Sequence, residues 1–460
     1  MAISEGLRAS LNAIRETSIE NGTLYAKQID EILPTTDISA LSTQLFDNEN
    51  LMNEFLNVLV KRVIYTQVVN FKLFNNPLAF LEGEQMPLGA IGQELFINPA
   101  EGREFNVNDF AGLLAKYESD VKVQYMHLNS DKQYPVTITR AKLKDAFTSW
   151  SNLESFVDAI TQSLYNGAYI DRYNMTKGLV TQAYNNNSVV IEQITNPSTE
   201  AQAKAFLTKA RELYLNMQEP TADYNAWRKV GGYGRDVLTW TDPEDIVFLI
   251  RNDLASYLDV NVLASAFNID KASLLGRIKY VKDFNVRNTK GDIILNGDNI
   301  LGIMADKKWF RIKNQEITMD EFYNANNRTW QMYLNDVNMY QYSLFCNAVV
   351  FATAQPQVAI TGLTVSDSNV TLGELEETTV TVSTTPAQAN TPEITVSTSN
   401  DTIANANIVG RTITIVGASE GTAKITVTAG NVSTEINVTV TDRVQEGIQS
   451  ESSGDLTPPG

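Results

Sequence analysis

All 18 phenylalanines, 18 tyrosines and 5 tryptophans of this chain precede Ala352, and no aromatic side chain follows to Gly460. Two different kinds of core must therefore lie on either side of that point. Before it, long helical periods are mixed with dense aromatics. After it, Thr, Val, Ile and Ser alternate in short runs that only a thin all-β domain can bury. The division predicts an α+β domain over residues 1–352, a linker at 353–357, a small all-β domain over 358–442 and a flexible tail at 443–460.

Charge and rare residues exclude several function classes. The net charge of -18 is shared, because the stretch after Phe351 holds only Arg411, Lys424 and Arg443 as bases among a larger number of acids. No run or stripe of Lys and Arg exists to grip phosphates, so the acidity reads as solubility, or as a surface that nucleic acid slides past. Cys346 is the only cysteine and His127 the only histidine, which rules out an intramolecular disulfide and any multi-histidine metal centre within one chain. Cys346 lies among Leu344, Phe345, Ala348 and Val349 and reads as a buried, inert thiol. His127 ends the alternating run from Val121 and reads as structural. Residues 1–19 form a polar amphipathic helix rather than an export signal, and Lys61 and Arg62 interrupt the best apolar stretch, Phe55 to Val69. The eight Asn-Xaa-Ser/Thr triplets follow from the abundance of Asn and Thr.

The small domain is read most directly. Ala423, Ile425 and Val427 share one strand face, and Ile436, Val438 and Val440 share another. Further alternating runs at Ala359–Val365, Thr378–Val382, Glu393–Val396 and Thr412–Val416 bring the total to about seven short strands, the density of an antiparallel Greek-key sandwich. The runs Val365 to Leu372, Thr378 to Pro386, Thr395 to Ala404 and Ile415 to Ala423 resemble the group-two bacterial immunoglobulin-like domain. Val396 stands where that family has a core Trp. The resemblance implies the fold more than the role.

In the large domain, Phe74 to Gly89 is rich in turn formers, and the chain stays extended as far as Ile138. Val121–His127 and Tyr134–Thr139 read as a hairpin about a polar turn at Asn129–Lys132, the far end of an arm over residues 82–139 that finds its partners on another molecule. A helix of roughly 55 Å follows over Arg140–Lys177, because Leu143, Phe147, Trp150, Leu153, Val157, Ile160, Leu164 and Ala168 recur every three or four residues. Gly167 and Gly178 weaken it. Ile246–Ile250 fits a buried strand; helical candidates at Asn252–Leu258, Val262–Phe267 and Arg277–Val281 follow, then strands Ile293–Leu295 and Ile300–Met304. Asp242, Glu244, Asp245 and Asp253 lack the spacing of a catalytic or metal site and read as caps and solvated charges. Gly231-Gly232-Tyr233-Gly234 lacks the lysine of a phosphate loop and reads as a mobile loop. The aromatics from Phe322 to Phe345 read as sheet core and subunit contact.

Phe74-Asn75-Asn76-Pro77-Leu78, Gln85-Met86-Pro87-Leu88-Gly89, Ala146-Phe147-Thr148-Ser149-Trp150, Leu258 to Asn268, Lys308-Trp309-Phe310 and Phe345 to Phe351 resemble the major capsid proteins of small short-tailed Bacillus phages of the phi-twenty-nine type. The resemblance implies the tailed-phage capsid fold: the extended arm, a long spine helix at about 140–178 and a wedge within about 240–315, followed by the immunoglobulin-like sandwich. It implies pentamers and hexamers in an icosahedral shell, a scaffolding protein during assembly, a portal protein at one vertex and packaged double-stranded DNA held without specific binding. The shell forms in the cytoplasm of a bacterial host, without a membrane, and the sandwich lies outside as capsomer contact or host adhesion. No catalytic, cofactor-binding or metal residue is expected. Gln85, Met86, Pro87, Leu88, Gly89, Trp150 and Trp309 are the subunit-contact candidates. The alternative is a bacterial surface adhesin or stalk carrying the same module.

Overall fold

Ile246–Arg251 (β5) and Ile300–Asp306 (β9) are apolar on both faces because both faces are covered. In the computed structural model, which describes residues 3, 5–22, 25–48, 50–55, 74–87, 92–103, 115–232, 234–256, 278–288 and 290–442, these strands lie centrally in a five-stranded sheet ordered β4-β12-β9-β5-β6. Val190–Gln193 (β4) and Ile278–Val281 (β6) pair in parallel at its margins; Ala348–Ala352 (β12), β9 and β5 are antiparallel within. Val247, Leu249, Ile303 and Val350 face Leu179, Val180 and Ala183 of the long helix. Phe248, Ile250, Met304 and Phe351 face the helix Glu200–Asn216, where the rings of Phe206 and Phe351 approach to 5.0 Å. Ile278–Val281 is thus a strand and not a helix, since four residues are too few to show a period of their own and the open edge of β5 decides it. Asn252–Ser256 is a short 3-10 turn; the candidate helix at 262–267 lies outside the described residues.

The long helix spans Trp150–Asn185, about 54 Å at 1.5 Å per residue. It does not begin at Arg140. A separate helix, Arg140–Ala146, is capped by Thr139, and the chain breaks at Phe147–Ser149, where Thr148 Oγ donates to Asp145 O and Ser149 Oγ accepts from Asn152 N. These hydroxyls compete with the helical ladder while the apolar stripe continues across the break. The glycines are close-approach sites rather than weak points: a Cβ on Gly167 would meet the Tyr134 ring at 3.2 Å, and one on Gly178 would meet Val286 at 2.9 Å.

Val121–Met126 (β2) and Ser130–Thr139 (β3) do not form a hairpin. β2 pairs with Gly92–Ile97 (β1), and β3 pairs with Thr329–Tyr342 (β11), which also pairs with Phe310–Asn324 (β10). β11 offers β3 ten partners along one register, more than β2 could. Asn129 secures the corner by accepting from Tyr340 N and donating to Tyr340 O. The β10-β11-β3 sheet packs its Met332, Leu334 and Ile138 face on the first half of the long helix and on the N-terminal helices Glu5–Asn21 and Ile38–Asp47.

The chain packs as two units, one of Met1–Tyr184, Val189–Ala226 and Gly234–Ala354 and a second of Asn185–Ser188, Trp227–Tyr233 and Gln355–Gly460. Among the described residues the second unit is a sandwich of eight strands, Gly362–Val365 (β13), Asn369–Gly373 (β14), Glu377–Thr385 (β15), Thr395–Thr398 (β16), Ala404–Val409 (β17), Thr412–Gly417 (β18), Gly421–Ala429 (β19) and Val432–Thr441 (β20), in sheets β13-β15-β18-β17 and β14-β20-β19-β16. The two strands missed in the sequence are Asn369–Gly373 and Ala404–Val409, whose inward residues are few and whose outward ones are Asn and Thr. Ile413, Ile415, Ile425, Val427, Ile436 and Val438 fill the core, with Val396 packed at its margin. This core closes on itself, so residues 355–442 expressed alone will fold as a cooperative β domain. Circular dichroism during urea unfolding checks this, and a non-cooperative melt would show that the unit depends on the rest of the chain.

Candidate assembly surfaces

β1 and β2 form a two-stranded ribbon whose two faces differ in chemistry. Direct partners share a face, so Leu95 and Val123, Ile97 and Val121, and Gln93 and Tyr125 lie on one side. The inner side is fixed. Glu94 pairs with Arg311 and accepts from Ser343 Oγ at 2.9 Å. Phe96 stacks on Phe345 at 5.6 Å, and Gln124 donates to Tyr342 O and accepts from Leu344 N. At the root, buried Lys122 reaches Asp120 at 2.9 Å. The hydrogen bond from Lys122, then that from Asn98, holds the Asp120 carboxyl below its ordinary range. Asn98 also donates to Asp236 O and accepts from Leu238 N.

The outer side is apolar and open. Leu95 is 59 % exposed, Ile97 62 %, Val121 45 % and Tyr125 69 %, and Trp240 beside them is 52 % exposed. Ile97, Pro99, Leu238 and Trp240 line a groove that Asp306 and Lys308 also border. A contiguous apolar face held rigid from behind marks an interaction surface.

The contact candidates named from sequence fall in different places. Gly83 N and Met86 N donate to Ile312 O and Asn314 O, so the segment lies as a strap along β10. Gln85 Nε2 donates to Gln315 O, and Gln315 Nε2 returns to Pro87 O. The side chains of Gln85 and Pro87 are exposed. Met86 is buried with Met126 and Met339, and so turns inward; Leu88 and Gly89 lie outside the described residues. Trp150 is buried in the first core, its Nε1 donating to Thr36 O at 3.3 Å. Trp309 is 1 % exposed, stacked on Tyr342 at 5.4 Å. Neither indole has surface left for a neighbour, because each fills the chain's own interior.

The polar residues have structural partners. Asp245 pairs with Lys308 at 2.8 Å and Asp253 with Arg251 at 2.7 Å, and no group of His, Cys, Asp and Glu able to hold a metal occurs among the described residues. His127 is exposed just beyond β2. The glycine turn closes on Trp227: Gly232 N donates to Trp227 O, and a Cβ there would meet the indole at 2.4 Å. Cys346 is partly buried, and burial pushes its thiol up to about 12. The reactive thiolate is then scarce at pH 8. Iodoacetamide will therefore leave the native chain unlabelled and modify it once unfolded; fast labelling of the native chain would contradict this placement.

The long helix is backed by the five-stranded sheet, and the anchored ribbon presents an open apolar face. The fold is that of phage capsids: a capsid structure of Staphylococcus phage Andhra matches with a TM-score of 0.51 at 15 % identity, over 63 % of this chain and 87 % of that one. A profile described as Phi29-like phage major capsid protein matches residues 11–352, and one for the group-two bacterial Ig-like domain matches residues 359–440. The major capsid protein of Bacillus phage B103 is 29 % identical over 77 % of this chain and 75 % of its own length. That of Streptococcus phage Cp-1 is 26 % identical over 65 % and 83 %. The chain belongs to the Phi29-like phage major capsid protein family. It is a structural component of the virion capsid and not an enzyme, which sets aside the adhesin alternative.

Proposed function

We propose that the chain forms pentamers and hexamers of a closed shell around double-stranded DNA, and that the outer face of the β1–β2 ribbon is a principal contact between copies. The observation that carries this is the exposed apolar row Leu95, Ile97, Val121 and Tyr125 on a ribbon whose other face is pinned. Covering the exposed half or so of each such side chain contributes about 1 kcal/mol, and a row of four favours association. Heterologous contacts that close give rings. In this reading a scaffolding protein sets curvature in the host cytoplasm, a portal occupies one vertex, and the acidic chain lets DNA pass without adhering. The sandwich lies on the outer surface. Lacking aromatic rings on which sugars stack, it serves as a capsomer contact rather than a host adhesin.

Electron microscopy of the purified chain, with and without its scaffolding protein, tests the reading. The unaltered chain will give shells or rings of five and six. Leu95→Asp with Tyr125→Asp will leave a folded subunit that assembles at least tenfold less. Normal shells from that variant would remove the ribbon from the interface.

A further inference from the structure

A ring of identical subunits joined head to tail needs a second surface on the same chain to receive the ribbon. The hairpin of Val286–Arg287 (β7) and Ile293–Leu295 (β8) supplies one. Its root is fixed to the long helix: Thr181 Oγ donates to Phe284 O, and Lys177 Nζ donates to Asn285 O at 3.2 Å. Asn285 accepts from Gly297 N and donates to Asp298, both at 2.6 Å, which closes the base. Beyond that base, Ile293 is 47 % and Ile294 63 % exposed. Arg287, opposite Ile293, is paired with Asp283 at 2.8 Å, and Asp292, next to Ile293, accepts from Asn288 Nδ2 at 2.9 Å, so these two charges beside the isoleucines are held within the hairpin.

The placement of the two apolar surfaces is the decisive point. Gly297, at the hairpin root, precedes β9, and Ile300 N donates to Gly297 O. Asp306 and Lys308, at the other end of β9, border the groove beside the ribbon. One seven-residue buried strand, about 20 Å long, therefore separates hairpin from ribbon. Exposed apolar side chains at opposite ends of a rigid strand meet the requirement for a head-to-tail repeat. We infer that Ile293 and Ile294 of one subunit seat against the Leu95, Ile97 and Tyr125 face of the neighbouring copy. This rests on the reading of the ribbon as a subunit contact and names its acceptor.

The test uses the full chain with Cys346→Ser, carrying Leu95→Cys, Ile294→Cys or both, assembled with scaffolding protein and treated with a short bismaleimide. The double variant will give a ladder of covalent multimers, and each single variant at most dimers. In parallel, Leu95→Asp and Ile294→Lys will each abolish shells, and the two together in one chain will restore them, because every contact then pairs an acid with a base. Circular dichroism confirms that each variant is folded. Shells from Leu95→Asp alone would overturn the ribbon reading and the inference with it. If Leu95→Asp blocks assembly while Ile294→Lys assembles normally and no ladder forms, the ribbon contact stands and its acceptor is not the hairpin.

Discussion

Replacing Asp336 by alanine will lower the unfolding free energy by about 3–5 kcal/mol, the loss expected when a buried ion pair is left with one partner. Asp336 is 2 % exposed and sits where the long helix crosses the β10-β11-β3 sheet. Arg172 of the helix grips it with two bonds, at 2.9 and 2.5 Å, and Asn314 adds a third at 3.0 Å. Burial alone would weaken the guanidinium's hold on its proton, and the bonds to Asp336 outweigh that. Without the carboxylate, Arg172 keeps only Glu82 at 3.7 Å, whose own carboxyl burial holds above its ordinary range. Lys132→Ala is the contrast. Its pair with Asp171 is partly open to solvent and Asp171 keeps the bond from Tyr134 Oη at 3.0 Å, so losing the pair costs about 1 kcal/mol or less. Urea unfolding followed by tryptophan fluorescence separates the two, and a small loss from Asp336→Ala would place the helix-to-sheet lock elsewhere. A joint Arg172→Met and Asp336→Leu variant will recover most of the stability, since the two deeply buried charges leave together and Glu82 keeps its bond from Asn76 Nδ2 at 3.3 Å.

Trp309→Ala will cost about 3–5 kcal/mol and will be lost as an unfolding event, not as a selective failure to assemble. The indole stacks on Tyr342 with the planes 16° apart and meets Phe310 edge-on at 4.8 Å. It belongs to the core shared by the long helix and the five-stranded sheet, so its removal opens a cavity that backbone on several sides cannot fill. The ribbon variants behave oppositely, folding normally and failing to assemble. A soluble, folded Trp309→Ala subunit that merely fails to form shells would return the residue to the interface.

Much of this architecture is written in local patterns. The alternation of Ala423, Ile425 and Val427 and the three-to-four spacing from Leu153 to Ala168 are imprints of burial on one face, and burial leaves the same imprint whatever lies opposite. Choice of partner leaves no such mark. β2 and β3 look like a hairpin because neighbouring alternating runs with a polar turn usually are one. Here β3 faces β11, with Tyr134 opposite Leu334, and β2 faces β1. The candidate site divides in the same way. Gln85 and Pro87 are exposed on the strap, while Trp150 and Trp309, which stand out in the sequence, are core. The arm over 82–139 is legible as a contact segment, but which of its residues face outward is not: Leu95-Phe96-Ile97 is one apolar run, and Leu95 and Ile97 part from Phe96 only once the strand is folded.

The two kinds of core, the sandwich and the existence of a long helix are legible in the chain's own letters, as is the single cysteine that leaves no partner for an intramolecular disulfide. Each follows from composition or from a short-range period, which the chain states locally. Tertiary structure alone decided the break at Phe147–Ser149, the splitting of β2 from β3, the Arg172–Asp336 lock and the apolar row left open on the ribbon. Those depend on which distant segment satisfies a hydrogen bond, a charge or an apolar face, and that competition is settled only when the whole chain is packed.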